Sequence, residues 1–168
     1  DKFAIVIEAA DGKYDEKDTQ ALLKKIGGNN ITRFTEAIKV VKKIVSNSDL
    51  NQGANFGLMT WATNATMRVN VSPNGSSQIY DLLTNNASSI AIGGATYIHR
   101  AMELAQRYMN GPSSPITSSC QKNLLVVIGD GAFNGNVNRG LSVAKTLAAR
   151  TPAVKTFVVI KSFSSVTY

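Results

Sequence analysis

Three short stretches carry side chains that could bind a cation or take part in phosphoryl transfer. In "NLLVVIGDGAFNG" (123–135) an apolar run ends in Gly-Asp-Gly, which places the Asp130 carboxylate at the C-terminal end of a buried strand. There it could be a magnesium ligand of a phosphoryl-transfer enzyme, a ligand in an adhesion-type metal site, or a turn residue bonding its own downstream backbone. In "IGGATYIH" (92–99) a glycine pair leads to Thr96 at the start of a helix, where a hydroxyl can cap the helix or coordinate a cation. Glu8 and Asp11 follow the first strand, on the loop that would face the other two. His99 is the sole histidine and has no Ser or Cys motif beside it, so it reads as a surface or packing residue.

The elements that must position these groups alternate. "FAIVIEA" (Phe3 to Ala9) is a continuous apolar run with β-branched residues, the pattern of a strand buried on both faces. A polar excursion over 11–30 follows, with a short helix candidate from Thr19 to Ile26 and a stop at Gly27 and Gly28. Thr32 offers an N-cap to "RFTEAIKVVKKIV", whose spacing puts Phe34, Ile38, Val41 and Val45 on one helical face. Residues 55–62 and 66–72 read as strands joined by a turn at Thr63 and Asn64, with Met59 and Trp61 in the core.

"SSQIYDLLTNN" is a short helix, and 96–109 is a longer one with Ile98, Met102, Ala105 and Met109 as its buried stripe. After the central strand (123–128), "NRGLSVAKTLAART" is a helix expected to turn Leu141, Ala144, Leu147 and Ala148 inward, and "AVKTFVVIKSF" is the last strand. This order predicts one α/β domain over 1–168: doubly wound, with a mostly parallel central sheet, one antiparallel hairpin edge strand, and helices on both faces. Ligands of such folds bind beyond the C-terminal ends of the strands. Glu8, Asp11, Thr96 and Asp130 are expected to meet there.

Composition sets limits on partners. With 168 residues and 43% hydrophobic content the chain can bury the core of one domain. The formal net charge of +7 does not mark a specific nucleic-acid reader. Lys24, Lys25, Lys39, Lys42 and Lys43 fall on helices as a solvated face, with no interleaved aromatics for base stacking. No apolar run approaches the roughly 18–20 residues of a membrane span. Cys120 is the only cysteine, so it is buried and inert, free, or paired outside this segment.

"VVIGDGAFN" also looks like the magnesium-binding strand of haloacid-dehalogenase-type phosphatases. Those enzymes need Asp-x-Asp at the end of the first strand to accept the phosphoryl group, and Glu8-Ala9-Ala10-Asp11 stands there instead. A metal-dependent phosphatase-like enzyme is therefore the alternative, and the expectation is that the chain is not an enzyme. A P-loop is excluded because no G-x-x-x-x-G-K-[ST] occurs.

A first-strand end, a Gly-Gly-x-Thr loop opening a helix, and an apolar strand ending in Asp-Gly, in that order, resemble a von Willebrand factor type A domain. More narrowly, "ANFGLMTWATNATMRVNVSPNGSSQI", "IGGATYIHRAMELAQRYMNG" and "PITSSCQKNLLVVIGDGAFNG" resemble the N-terminal part of the PilC/PilY adhesins of bacterial type IV pili, where a Cys-Gln-Lys-Asn step precedes the Asp-Gly strand. The resemblance covers 54–135 well and the rest loosely.

It implies a metal-ion-dependent adhesion site. An Asp-x-Ser-x-Ser at the first strand end, a Thr from a second loop and an Asp from a third would hold magnesium or calcium, leaving one position for a carboxylate of the partner. Thr96 and Asp130 match the second and third loops. The first departs, since Glu8-Ala9-Ala10-Asp11-Gly12 lacks both serines and has a longer acid, with Asp11 left to compensate. The site implied is a degenerate one of Glu8, Asp11, Thr96 and Asp130, with no cation held at useful affinity. The role implied is adhesion in type IV pilus biogenesis, twitching motility and surface attachment. The implied partners are pilus components or minor pilins and host-cell or abiotic surface ligands. The implied location is the exterior of a Gram-negative bacterium, with Cys120 pairing to a cysteine outside the segment. An A-domain would continue through a further strand and helix after "SFSSVTY".

Overall fold

The computed structural model describes residues 2–9, 34–90, 95–129 and 133–160. Five strands form one sheet in the order β3-β2-β1-β4-β5. They are β1 (Lys2–Ala9), β2 (Ala54–Trp61), β3 (Ala65–Ser72), β4 (Lys122–Gly129) and β5 (Val154–Ile160). The helices are α1 (Phe34–Val45), α2 (Ser48–Asn51), α3 (Gly75–Asn85), α4 (Ile98–Asn110) and α5 (Val137–Ala149). The excursion over 11–30, its helix candidate, and the cap at Thr32 lie outside the described residues.

Alternation along the strands divides the apolar side chains between the two faces of the sheet. Leu124, Val126 and Ile128 of β4 join Phe56 and Leu58 of β2 in one core, under Ile44 of α1, Leu50 of α2, and Ile79 and Leu83 of α3. Leu125 and Val127 point the other way, with Met59 and Trp61, against Ile98, Met102, Ala105 and Met109 of α4 and Leu147 of α5. Each fully buried Leu, Ile or Phe contributes about 1.5–3 kcal/mol. The near-continuous apolar run of β4 follows from burial on both faces.

The expected parallel sheet is corrected at β1. Only β4 and β5 pair in parallel, whereas β1 runs antiparallel to both β2 and β4. The β2–β3 pairing is antiparallel, as the hairpin reading required. An apolar run that alternation does not mark has no preferred direction, so "FAIVIEA" marks a strand without fixing its polarity. The consequence for the site is large, because Glu8 pairs with Asn55 and Asn123, at the starts of β2 and β4.

The inward face of α5 keeps the expected Leu147 and the partly buried Ala144 but differs at its other positions. Gly140, Val143 and Leu147 are its buried residues, while Leu141 is 53% exposed and Ala148 faces solvent. Gly140 faces Ile98 and the backbone of His99, where a Cβ would stand 3.5–3.6 Å away, an ordinary contact distance. At the other end Arg150 Nη1 donates to the Met109 carbonyl over 3.1 Å, meeting a carbonyl that the last turn of α4 leaves open.

Two local devices complete the frame. The β2–β3 register shifts between Phe56 and Leu58, and there the Val71 N–H donates to Tyr108 Oη of α4 over 2.9 Å. Before β4, the buried Gln121 donates through Nε2 to the Pro115 carbonyl and to Asn123 Oδ1, and its Oε1 accepts from the Thr117 N–H. Buried amides are tolerated when satisfied in this way. Cys120, beside that clamp, is exposed, which removes burial from the fates open to it.

Candidate functional site

The loops that follow β2 and β4 meet at one end of the sheet. Trp61 closes β2, and its ring stacks on Phe133 with centroids 6.1 Å apart. The hairpin turn begins with the Ala62 N–H donating to the Asn64 carbonyl, and the Ala62 carbonyl accepts from the Tyr97 N–H over 3.1 Å. Thr63 Oγ1 accepts from the Ala95 N–H over 3.0 Å. Together these bonds tie the turn after β2 to the segment that opens α4.

Thr96 sits at this junction, 8% exposed. Its N–H donates to Asn134 Oδ1 over 3.1 Å, and its carbonyl accepts from the Asn134 N–H over 2.9 Å. One amide residue thus satisfies both backbone groups of the threonine, binding the loop after β4 to the loop before α4. Thr96 is not the cap of α4, because the N-cap position is Tyr97 and no side chain bonds there. Asn136 does cap its helix, accepting from the Arg139 N–H at the start of α5 over 2.9 Å.

Gly135 lies between the two asparagines with φ +73, a left-handed conformation. A Cβ there would stand 2.9 Å from both His99 Cε1 and Tyr97 Cδ1. Gly135→Ala is expected to cost about 1–2 kcal/mol from the left-handed backbone alone. Urea unfolding reads this directly, and an unchanged midpoint would mean that the loop does not depend on that conformation.

The charge beside this junction is basic. Glu103 is mostly buried on α4 and pairs with Arg139 of α5, and Arg100 Nη1 stands 3.9 Å from its other oxygen. One carboxylate therefore faces two guanidinium groups. Tyr97 and His99 rings lie 5.5 Å apart, which makes the histidine a packing residue next to the Gly135 turn.

Of the candidate ligands, the structure places Thr96 beyond the C-terminal ends of β2 and β4. It does not bring Glu8 there. Glu8 is level with Asn123, six residues before Gly129 on β4, a separation of about 20 Å at the rise of a strand. Asp11 and Asp130 lie outside the described residues. Among the described residues no three His, Cys, Asp or Glu cluster as a metal site. The described residues at this junction supply hydroxyls, the Asn134 and Asn136 amides and an arginine-bound glutamate.

Asn134, Asn136 and Thr63 were not foreseen as parts of the site. The signal for the first two was present in "FNGN", since Asx side chains next to glycine bond neighbouring backbone in turns.

The chain belongs to the von Willebrand factor type A domain family, whose model matches residues 17–132. That span contains Thr96 and Asp130 and begins after Glu8 and Asp11. No curated protein and no solved structure matches the chain. Domains of this family typically serve as interaction or adhesion modules and are usually not catalytic.

Proposed function

We propose that this domain is a non-enzymatic adhesion module of a type IV pilus-associated protein, displayed outside a Gram-negative cell and engaging pilus components or surface ligands through its strand-end loops. The observation that supports this most is the reciprocal Thr96–Asn134 clamp, which fixes the loop before α4 against the loop after β4. A rigid loop surface loses less entropy on binding than a mobile one. The "SCQKN" step before β4 supports the pilus assignment.

In this reading the partner meets side chains and backbone directly. Thr96 and Asp130 are the positions matching the family's metal loops, and Glu8 stands at the other end of the sheet. Calorimetry of Mg²⁺, Ca²⁺ and Mn²⁺ against the chelator-treated chain is expected to give no saturable heat. Saturation that disappears in Asp130→Ala would overturn this and return binding to a metal-bridged carboxylate. The partner assignment is tested by biolayer interferometry against purified minor pilins. Asn134→Ala is expected to weaken capture about tenfold, or roughly 1.4 kcal/mol. Absence of capture by every pilin would remove the pilus role.

A further inference from the structure

The large apolar side chains that the core leaves outside are not spread evenly. Apart from Tyr80, the exposed ones among the described residues are Val137, Leu141 and Val158, at 44%, 53% and 47%, and all three belong to α5 and β5. β5 runs parallel to β4, with Val158 level with Val127. α5 joins these two strands and runs back along them, so its first turns lie level with the C-terminal end of β5. Arg139 pairs with Glu103 of α4, and at 3.6 residues per turn Val137, Leu141 and Ala148 fall on the opposite flank of α5. That flank overhangs the edge of the sheet.

The edge itself is regular. Among the described residues β5 is an outer strand, and its pairing with β4 runs from Val154 to Ile160 without a shift. The backbone groups on its other side recur at strand spacing, and another strand matches that spacing. Its side chains alternate between the faces: Val154 lies in the core under α4 and α5, Phe157 and Val159 pack against the opposite core. Val158 is therefore on the α5 side, and the exposed Lys155 is on the other. Charge here has one sign. From Gly131 to Tyr168 the sequence contains no Asp or Glu, whereas Arg139, Lys145, Arg150, Lys155 and Lys161 fall within it.

We propose that this edge binds an extended segment of a partner protein in which apolar and acidic residues alternate. Beside β5 such a segment pairs backbone to backbone. Its apolar side chains join Val158 under the overhang of Leu141, and its carboxylates, on the other face, lie beside Lys155. An anionic lipid surface would suit the charge and the apolar residues but brings no backbone to the strand. A second copy would bring a strand, but it sets Lys155 and Lys145 against their own kind with no acid on either element to answer them. The proposal does not rest on the function assigned to the strand-end loops.

The test is titration of the isotope-labelled full chain with short peptides that alternate valine with glutamate or valine with lysine, followed by amide chemical shifts. Saturable shifts on β5 and α5 are expected with the glutamate peptide, and binding about tenfold weaker or less with the lysine peptide. Leu141→Asp should weaken the glutamate peptide about tenfold or more, and Lys155→Glu should reverse the preference between the two peptides. Asn134→Ala should leave both unchanged. Leu141 and Lys155 are exposed, and circular dichroism confirms that the variants fold. Absence of shifts with the glutamate peptide, shifts confined to other elements, or a preference that Lys155→Glu does not move would overturn the proposal. Dimerisation of the chain through β5 in sedimentation, or capture by phosphatidylglycerol vesicles without binding of the peptide, would overturn it as well. Failure here leaves the pilus reading intact, since pilin capture is read through Asn134→Ala.

Discussion

Gly75→Ala is expected to destabilise the domain by about 3 kcal/mol, the upper end of the usual cost of overpacking. Gly75 opens α3, and a Cβ on it would stand 1.8 Å from the Phe56 carbonyl oxygen and 2.8 Å from the carbonyl carbon. The obstacle is backbone, which no rotamer can clear. It also belongs to β2, held between β1 and β3, so relief requires α3 to move off the sheet and open the core around Ile79 and Leu83. Urea unfolding is the measurement, with the midpoint falling at unchanged slope. A midpoint equal to that of the unsubstituted chain would show that α3 can shift without loss.

Phe56→Ala is expected to cost about 3–5 kcal/mol, by the opposite mechanism. Phe56 is among the largest fully buried side chains, and it lies in the core beneath α1, α2 and α3. Truncation leaves a cavity between secondary structure elements that cannot collapse without breaking sheet pairing. The control is Tyr80→Ala, on the outer side of α3, where an exposed substitution changes stability by about 0.5 kcal/mol or less. Equal midpoints for the two variants would contradict the placement of the core.

How much of this was legible in the sequence varied with the kind of signal. The β2–β3 hairpin, the burial of β4 and the α4 stripe of Ile98, Met102, Ala105 and Met109 follow from periodicity, and all are found. Helices on both faces follow from alternating elements and are found as well. Polarity was not legible. The run "FAIVIEA" reads the same to a parallel or an antiparallel neighbour, and the expected meeting of Glu8 with Thr96 depended on that direction. On α5 Leu147 and the partly buried Ala144 face inward as read, while Leu141 and Ala148 face solvent and Gly140 and Val143 are buried in their place.

The candidate site was legible only as a location. Thr96 stood out by its place before a helix, and its backbone is bonded on both sides to Asn134. Such a bond joins residues 38 positions apart, and no local pattern announces it.

The register shifts of the β2–β3 pairing bear on crowding. β3 is an outer strand of the sheet, and such strands invite a second copy to extend the ladder. Here the register shifts at two places, so an incoming strand would meet a twisted and interrupted template. Copies held close together can therefore lie side by side along this margin without zipping into a continuous sheet.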